Sequence, residues 1–107
     1  MANNYKNQKL DITSTNITTF YTCPASTSVI FKSILISNDS GSEDTITLTI
    51  TDSASAVFSV YKLESVGSLS SKELLTQPLV LTAGEIFKVT AATANRLHVI
   101  ASYLEIT

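Results

Sequence analysis

The side chains that could act as nucleophile, general base or metal ligand are few and widely spaced in this chain. It has one cysteine, Cys23, and one histidine, His98. A reactive thiol needs a base beside it, and a histidine base needs an orienting carboxylate and a nucleophile. The sequence brings no such partners to either residue. We therefore interpret Cys23 as a small buried hydrophobe on a strand and His98 as a structural or surface residue.

The acidic residues cluster once, in the segment 38–44 with the sequence NDSGSED. Asp39, Glu43 and Asp44 are hard oxygen ligands, and Gly41 permits a bend between them, so calcium is one hypothesis for this loop. The spacing does not match the EF-hand pattern, and hairpin turns use the same residues for backbone reasons. We therefore expect a turn here, and no metal or cofactor in the protein.

Enzyme signatures are missing from the sequence. It contains no nucleophile elbow, no phosphate-binding loop, no dinucleotide fingerprint and no zinc-protease motif. A glycosidase pair would have to be built from distant carboxylates such as Asp11, Asp52, Glu64 and Glu85. Nothing in the sequence brings two of them together, so we expect a protein that is not an enzyme.

The composition favours a protein whose surface is covered by other subunits. Only 15% of the 107 residues are charged, and the formal net charge is −2, so there is little repulsion between copies. The seven basic residues are scattered, which argues against nucleic acid as a partner. No apolar run has the length of a membrane span, and we expect neither a secretory signal nor a membrane partner.

Alternating apolar residues predict β-strands along most of the chain. In residues 44–52, Ile46, Leu48 and Ile50 alternate with threonines, the pattern of a half-buried strand. Residues 29–37 are apolar on both faces, with Ile30, Ile34 and Ile36 expected on one and Val29, Phe31 and Leu35 on the other. Further strands are expected at 17–23, 56–63, 79–82, 85–91 and 97–106, with a loop at 65–71 and one helical turn at 71–75. Apart from Tyr5, most of the tyrosines and phenylalanines fall on strands and are expected in the core.

These patterns predict one all-β domain over residues 1–107, an antiparallel β-sandwich of jelly-roll type with about eight short strands. Residues 1–9 are polar and aperiodic, and we expect them to form an N-terminal arm. Such an arm could contact a neighbouring subunit. The candidate contact residues are Asn3, Asn4, Tyr5, Lys6 and Leu10.

Two segments resemble small bacteriophage virion proteins. The first runs from Thr18-Thr19-Phe20-Tyr21-Thr22-Cys23-Pro24-Ala25 through the apolar strand that ends at Asn38. The second joins Leu79-Val80-Leu81-Thr82-Ala83-Gly84-Glu85 to the closing Ser102-Tyr103-Leu104-Glu105-Ile106. The middle, 53–71, carries no such signature. Proteins with this pattern occur in capsids, tails and fibres and have no catalytic residues to carry over.

The resemblance implies a structural virion component, made in the cytoplasm of a host bacterium. We expect a capsid decoration or cement protein that binds the assembled shell as a homo-oligomer, with a trimer favoured. Its partners would be the major capsid protein or other virion proteins. The alternatives are a protein of the tail, neck or fibre, and a carbohydrate-binding module for host attachment. The sequence has no tryptophan for stacking on sugars, and Tyr5 is the one aromatic residue outside the expected strands.

Overall fold

A computed structural model describes residues 2–107 and shows a chain built from β-strands, with no helix in that range. Within it there are nine strands. They are β1 (Asn3–Asp11), β2 (Thr18–Thr22), β3 (Ser28–Asn38), β4 (Asp44–Thr51), β5 (Val57–Val66), β6 (Ser70–Glu73), β7 (Leu79–Leu81), β8 (Ile86–Ala91) and β9 (Leu97–Ile106).

The strands form two antiparallel sheets. Sheet A has the order β1-β9-β3-β6, with the short β7 also paired to β3, and sheet B has the order β2-β8-β4-β5. Pairing proceeds inward from the two ends of the chain: β1 with β9, β2 with β8, β3 with β6, and β4 with β5. A long hairpin wrapped in this way, with successive pairs in alternate sheets, is a jelly roll. The predicted all-β sandwich is therefore confirmed.

Aromatic side chains from both sheets meet in one core. Phe31 on sheet A has its ring centroid 5.3 Å from that of Phe87 and 5.5 Å from that of Tyr21, both on sheet B. Tyr103, beside Phe31 on sheet A, stacks at a tilt on Tyr21 with centroids 4.9 Å apart. Edge-on and tilted contacts of this kind suit aromatic rings better than face-to-face stacking. The core therefore joins the two sheets directly.

A bulge in β3 changes which of its residues face the core. The register against β9 shifts between Phe31 and Ser33, so one extra residue separates Phe31 from the next core position, Ile34. Phe31, Ile34 and Ile36 are consequently all buried on the same face. The expectation that Phe31 and Ile34 point to opposite faces is wrong, because strict alternation assumes an unbroken pleat.

The outer neighbour of β3 is divided between two short strands. β7 pairs with Val29–Phe31 and β6 with Leu35–Asn38, so within residues 2–107 no strand pairs with residues 32–34 on this outer side of β3. The Glu73 carboxylate fills this gap. It accepts a hydrogen bond of 2.8 Å from the Ile34 amide and another from the Ser33 hydroxyl. The predicted loop at 65–71 is shorter than expected, since β5 ends at Val66 and β6 begins at Ser70. The predicted helical turn at 71–75 is wrong, because β6 occupies most of it. Pairing with an existing strand outweighs the weak helical preference of so short a segment.

The predicted arm is a strand. Asn3–Asp11 pairs with β9 at every position without a register shift, and Leu10 packs against the core. Only Met1 of the predicted arm lies outside the described residues. The segment is polar because most of its side chains are exposed, and its position is set by backbone hydrogen bonds to β9. The absence of an apolar period therefore did not mean the absence of a strand.

Candidate functional site

Cys23 lies in the core, as its sequence context predicts. Its side chain is buried, and its Sγ is 3.3 Å from the carbonyl oxygen of Thr27. Burial raises the pKa of the thiol, and the nearby carboxylates Glu105 and Glu85 act in the same direction. A raised pKa keeps the sulfur in its neutral, poorly nucleophilic form. The interpretation of Cys23 as a buried hydrophobe is confirmed, although the residue lies directly after β2 and not on a strand.

His98 lies beside a carboxylate that could not be identified from the sequence. Its Nε2 is 3.2 Å from Asp11 Oδ1, because β1 and β9 place these residues opposite each other. Its Nδ1 is 3.9 Å from Asp39 Oδ2. Ser37 faces His98 from β3, but no hydrogen bond between the two occurs among residues 2–107. The histidine therefore lies between two carboxylates, one at the end of β1 and one in the β3–β4 loop.

The acidic loop at 38–44 is organised by backbone contacts. Asp44 is buried, and its two carboxylate oxygens accept the amides of Thr45 at 2.9 Å and Thr93 at 3.2 Å. The Asn38 side-chain amide donates to the carbonyl of Ser42 at 2.9 Å. Asp44 accepts backbone amides whereas Asp39 faces His98, so the two carboxylates do not converge on one point. The loop therefore has the contacts of a turn. In the described part of the chain, no group of three His, Cys, Asp or Glu side chains is placed to hold a metal.

The four carboxylates considered for glycoside cleavage are each engaged separately. Their partners are turn amides for Asp52 and Glu85, Lys72 for Glu64, and His98 for Asp11. These contacts shape turns and join neighbouring strands. The structure therefore gives each carboxylate a local role and does not pair them.

A buried carboxylate under β1 is the polar feature that sequence reasoning missed. Glu105 is 8% exposed, its Oε1 lies 2.6 Å from Lys6 Nζ, and its Oε2 accepts the Tyr21 hydroxyl. The hydrogen bonds from Lys6 and then Tyr21 lower the pKa of the Glu105 carboxyl, although burial opposes them. Burial raises the pKa of Tyr21, and its bond to Glu105 raises it further. These three side chains link β1 and β9 of sheet A to β2 of sheet B.

One signal in the sequence could have revealed this cluster. The expected inward face of the last strand, which includes Val99, Ala101 and Tyr103, continues by alternation to Glu105. A carboxylate on an inward-facing position requires a partner. The partner itself, Lys6, could not be named without knowing that β1 pairs with β9.

The five candidate contact residues of the predicted arm divide into two groups. Asn3, Asn4 and Tyr5 are exposed at the edge of sheet A, and Tyr5 is 78% exposed. Lys6 binds Glu105, and Leu10 packs against the core. The first three are thus free to meet a partner, whereas Lys6 and Leu10 hold the strand in place.

Large apolar side chains are exposed along β5 and the loop after it. Val57, Phe58, Leu63 and Leu69 are 62%, 58%, 64% and 75% exposed. β5 is an edge strand of sheet B, on the opposite side of that sheet from β2. We call these four residues the apolar edge. Phe58 does not lie in the core, so the expectation of core aromatics fails at this position.

Two of these leucines have an unusual backbone conformation. Leu63 has φ of 54° and Leu69 has φ of 51°. This left-handed region disfavours residues with a Cβ, and asparagine or glycine is the usual choice there. An exposed leucine in this conformation contributes little to folding and carries a steric cost.

Compared with known proteins, the chain matches no protein family, no curated protein and no solved structure. Among residues 2–107, no helix is long and apolar enough to cross a membrane.

Proposed function

We propose that this protein is a structural component of a bacteriophage particle, a capsid decoration or cement protein that binds the assembled shell as an oligomer. The observation that carries the proposal is the apolar edge, Val57, Phe58, Leu63 and Leu69, on a chain of low net charge. These four side chains are spaced along one edge strand and the turn that follows it, and exposed apolar side chains at a sheet edge are candidates for contact with a partner.

The conformations of Leu63 and Leu69 support an interaction role for this edge. Each residue is mostly exposed and has positive φ, so the choice of leucine opposes the local backbone preference. Departures from local preference that bring no folding benefit are expected at functional positions. A partner surface that buries both side chains would supply the missing benefit.

The fold is compatible with the proposal but does not select it. Eight-stranded jelly rolls occur in viral capsid proteins and also in lectins and cupins. Fold alone therefore cannot decide function. Among these classes, a virion protein is favoured by the resemblance of the segments around Tyr21 and Glu105 to phage virion proteins.

Protein quantification of purified particles tests the proposal. Phage particles from cells that produce this chain would be banded on a density gradient, and the chain would be quantified against the major capsid protein by mass spectrometry. A copy number in a simple ratio to the major capsid protein supports decoration. A few copies per particle would instead favour the tail, neck or fibre, and absence from the particles would contradict a virion role.

A carbohydrate-binding module is the second candidate, and the observation that favours it is the exposure of Tyr5. Sugar sites usually stack rings on aromatic side chains. The second exposed aromatic residue, Phe58, lies on β5 in the other sheet, so the two do not share a strand pair. Reproducible binding of the purified chain to one sugar class on a glycan array, abolished by Tyr5→Ala, would support this candidate over decoration.

A further inference from the structure

The outer edge of β1 presents a regular row of backbone groups. Ala2 and Thr107 exchange both amide-to-carbonyl bonds, at 3.1 and 2.9 Å, and Ile12 donates to the Leu97 carbonyl at 3.1 Å. The register between these points is unbroken. In an antiparallel pair, hydrogen-bonded and non-hydrogen-bonded positions alternate. The even-numbered residues of β1 therefore bond to β9, while the amides and carbonyls of the odd-numbered residues point away from the sheet.

β1 differs in this respect from the other edge strands of the described chain. β2 has five residues and a register shift, and β5 has two register shifts. β6 and β7 have four and three residues. Short strands, bulges and charged side chains are the usual protections of a sheet edge against pairing with another chain. β1 has nine residues and no bulge, and its charged side chains are Lys9, Asp11 and Lys6, of which Lys6 is paired with Glu105.

The side chains of β1 favour one antiparallel register with a second copy. With Asn7 facing Asn7 across a twofold axis, all nine residues of the two strands overlap. The odd-numbered residues, whose backbone amides and carbonyls point away from the sheet, then lie opposite one another. Tyr5 then faces Lys9 and Asn3 faces Asp11, so a cation lies over a ring and an amide meets a carboxylate. No like charges are opposed. Moving the axis to Lys9 would place two lysines face to face and shorten the overlap.

We propose that β1 binds β1 of a second copy of this chain, antiparallel about a twofold axis at Asn7, so that sheet A continues across a dimer. The outward residues Asn3, Tyr5, Asn7, Lys9 and Asp11 each meet an outward residue of the other copy and exchange two backbone hydrogen bonds with it. Lys6 and Leu10 point inward and hold β1 on its own domain, so the strand offers its edge without leaving the fold. The inference does not depend on the proposed virion role.

A proline at the axis tests the backbone pairing. Asn7→Pro removes an outward amide that makes no bond among residues 2–107, so the monomer keeps its fold, as edge positions tolerate proline. The matched control, Asn7→Ala, keeps the amide. In sedimentation equilibrium we expect wild type and Asn7→Ala at twice the chain mass of 11.5 kDa, and Asn7→Pro at the chain mass. A wild-type monomer or trimer, or an Asn7→Pro dimer, would overturn the proposal.

Cysteine substitutions test the register. Hydrogen-bonded residues in an antiparallel pair have Cα atoms about 5.5 Å apart, within the range of a disulfide. Asn7→Cys should therefore form a covalent dimer under mild oxidation, whereas Tyr5→Cys on the same face should not, because Tyr5 faces Lys9. Cys23 is buried and does not compete. Equal cross-linking of the two variants would contradict the register, even if a dimer exists.

Discussion

Lys6 Nζ lies 2.6 Å from Glu105 Oε1, and this ion pair fastens the first strand of the domain to the last. Tyr21, from the opposite sheet, donates its hydroxyl to the same carboxylate. The cluster therefore secures both the closure of sheet A and its contact with sheet B. The ion pair adds to the backbone hydrogen bonds with β9 that hold the polar N-terminal segment as a strand.

The Glu105 cluster predicts a loss of stability in acid. Because the pKa of Glu105 is lower in the folded than in the unfolded chain, its contribution is complete at neutral pH. That contribution is lost as the pH falls below about 4.5, the ordinary pKa of a glutamate, and through the folded pKa. Thermal unfolding followed across the acidic range should show a steeper fall in Tm for wild type than for Glu105→Gln. The same slope in Glu105→Gln would contradict the assignment, and Glu43→Gln on the exposed loop should keep the wild-type slope.

Phe31 is expected to be the most sensitive core position. It is fully buried and its ring contacts Tyr21, Phe87 and Tyr103, so Phe31→Ala should lower the free energy of unfolding by about 3–5 kcal/mol. The matched control is Phe58→Ala, which removes an exposed ring and should change it by about 0.5 kcal/mol or less. Urea unfolding measures both values. Equal effects would mean that the described core is wrong.

Glu73 is expected to stabilise the gap between β6 and β7. Burial favours the neutral form, but hydrogen bonds from Ser33, Ile34 and Leu75 outweigh it and lower the pKa of Glu73. Glu73→Ala leaves the Ile34 amide without its acceptor and should cost about 1 kcal/mol or more in urea unfolding. Glu73→Gln retains one acceptor oxygen and should lose less. Hydrogen exchange at the Ile34 amide should be faster in Glu73→Ala, and unchanged exchange would count against this role.

Leu63 offers a test of function against stability. Its φ of 54° favours asparagine, so Leu63→Asn should leave the free energy of unfolding unchanged or raise it by up to about 1 kcal/mol. The same substitution removes an exposed apolar side chain from the apolar edge and should weaken incorporation into particles. A variant that is destabilised by more than about 1 kcal/mol would show that Leu63 serves the fold instead.

The sequence predicted local features well where burial followed simple alternation. β4 is the clearest case, since Ile46 and Leu48 are buried and the intervening threonines are not. The alternation failed in β3, because the bulge after Phe31 has no marker such as glycine in the sequence. It also failed in β1, where pairing with β9 comes from backbone groups that every sequence possesses.

The candidate surfaces depended on contacts that sequence spacing does not encode. His98 meets Asp11, and Glu105 meets Lys6, only because the first and last strands pair. The exposure of Phe58 follows from the edge position of β5, and an apolar residue in a strand gives no indication of its place in the sheet. The alternation of apolar residues predicts where strands occur, whereas the order in which the strands pair determines which side chains come into contact.

Incorporation of a Phe58→Asp variant into particles tests most directly whether the apolar edge binds the virion. Wild type and variant would be produced together in infected cells at equal levels, and the two forms of the peptide quantified in purified particles. Thr19→Asp, which adds the same charge to the opposite edge of sheet B, serves as the control. We predict that Phe58→Asp is depleted about tenfold or more, as expected for the loss of about 1.4 kcal/mol at an interface, while Thr19→Asp is not. Equal incorporation of Phe58→Asp and wild type would contradict a role for this edge in assembly.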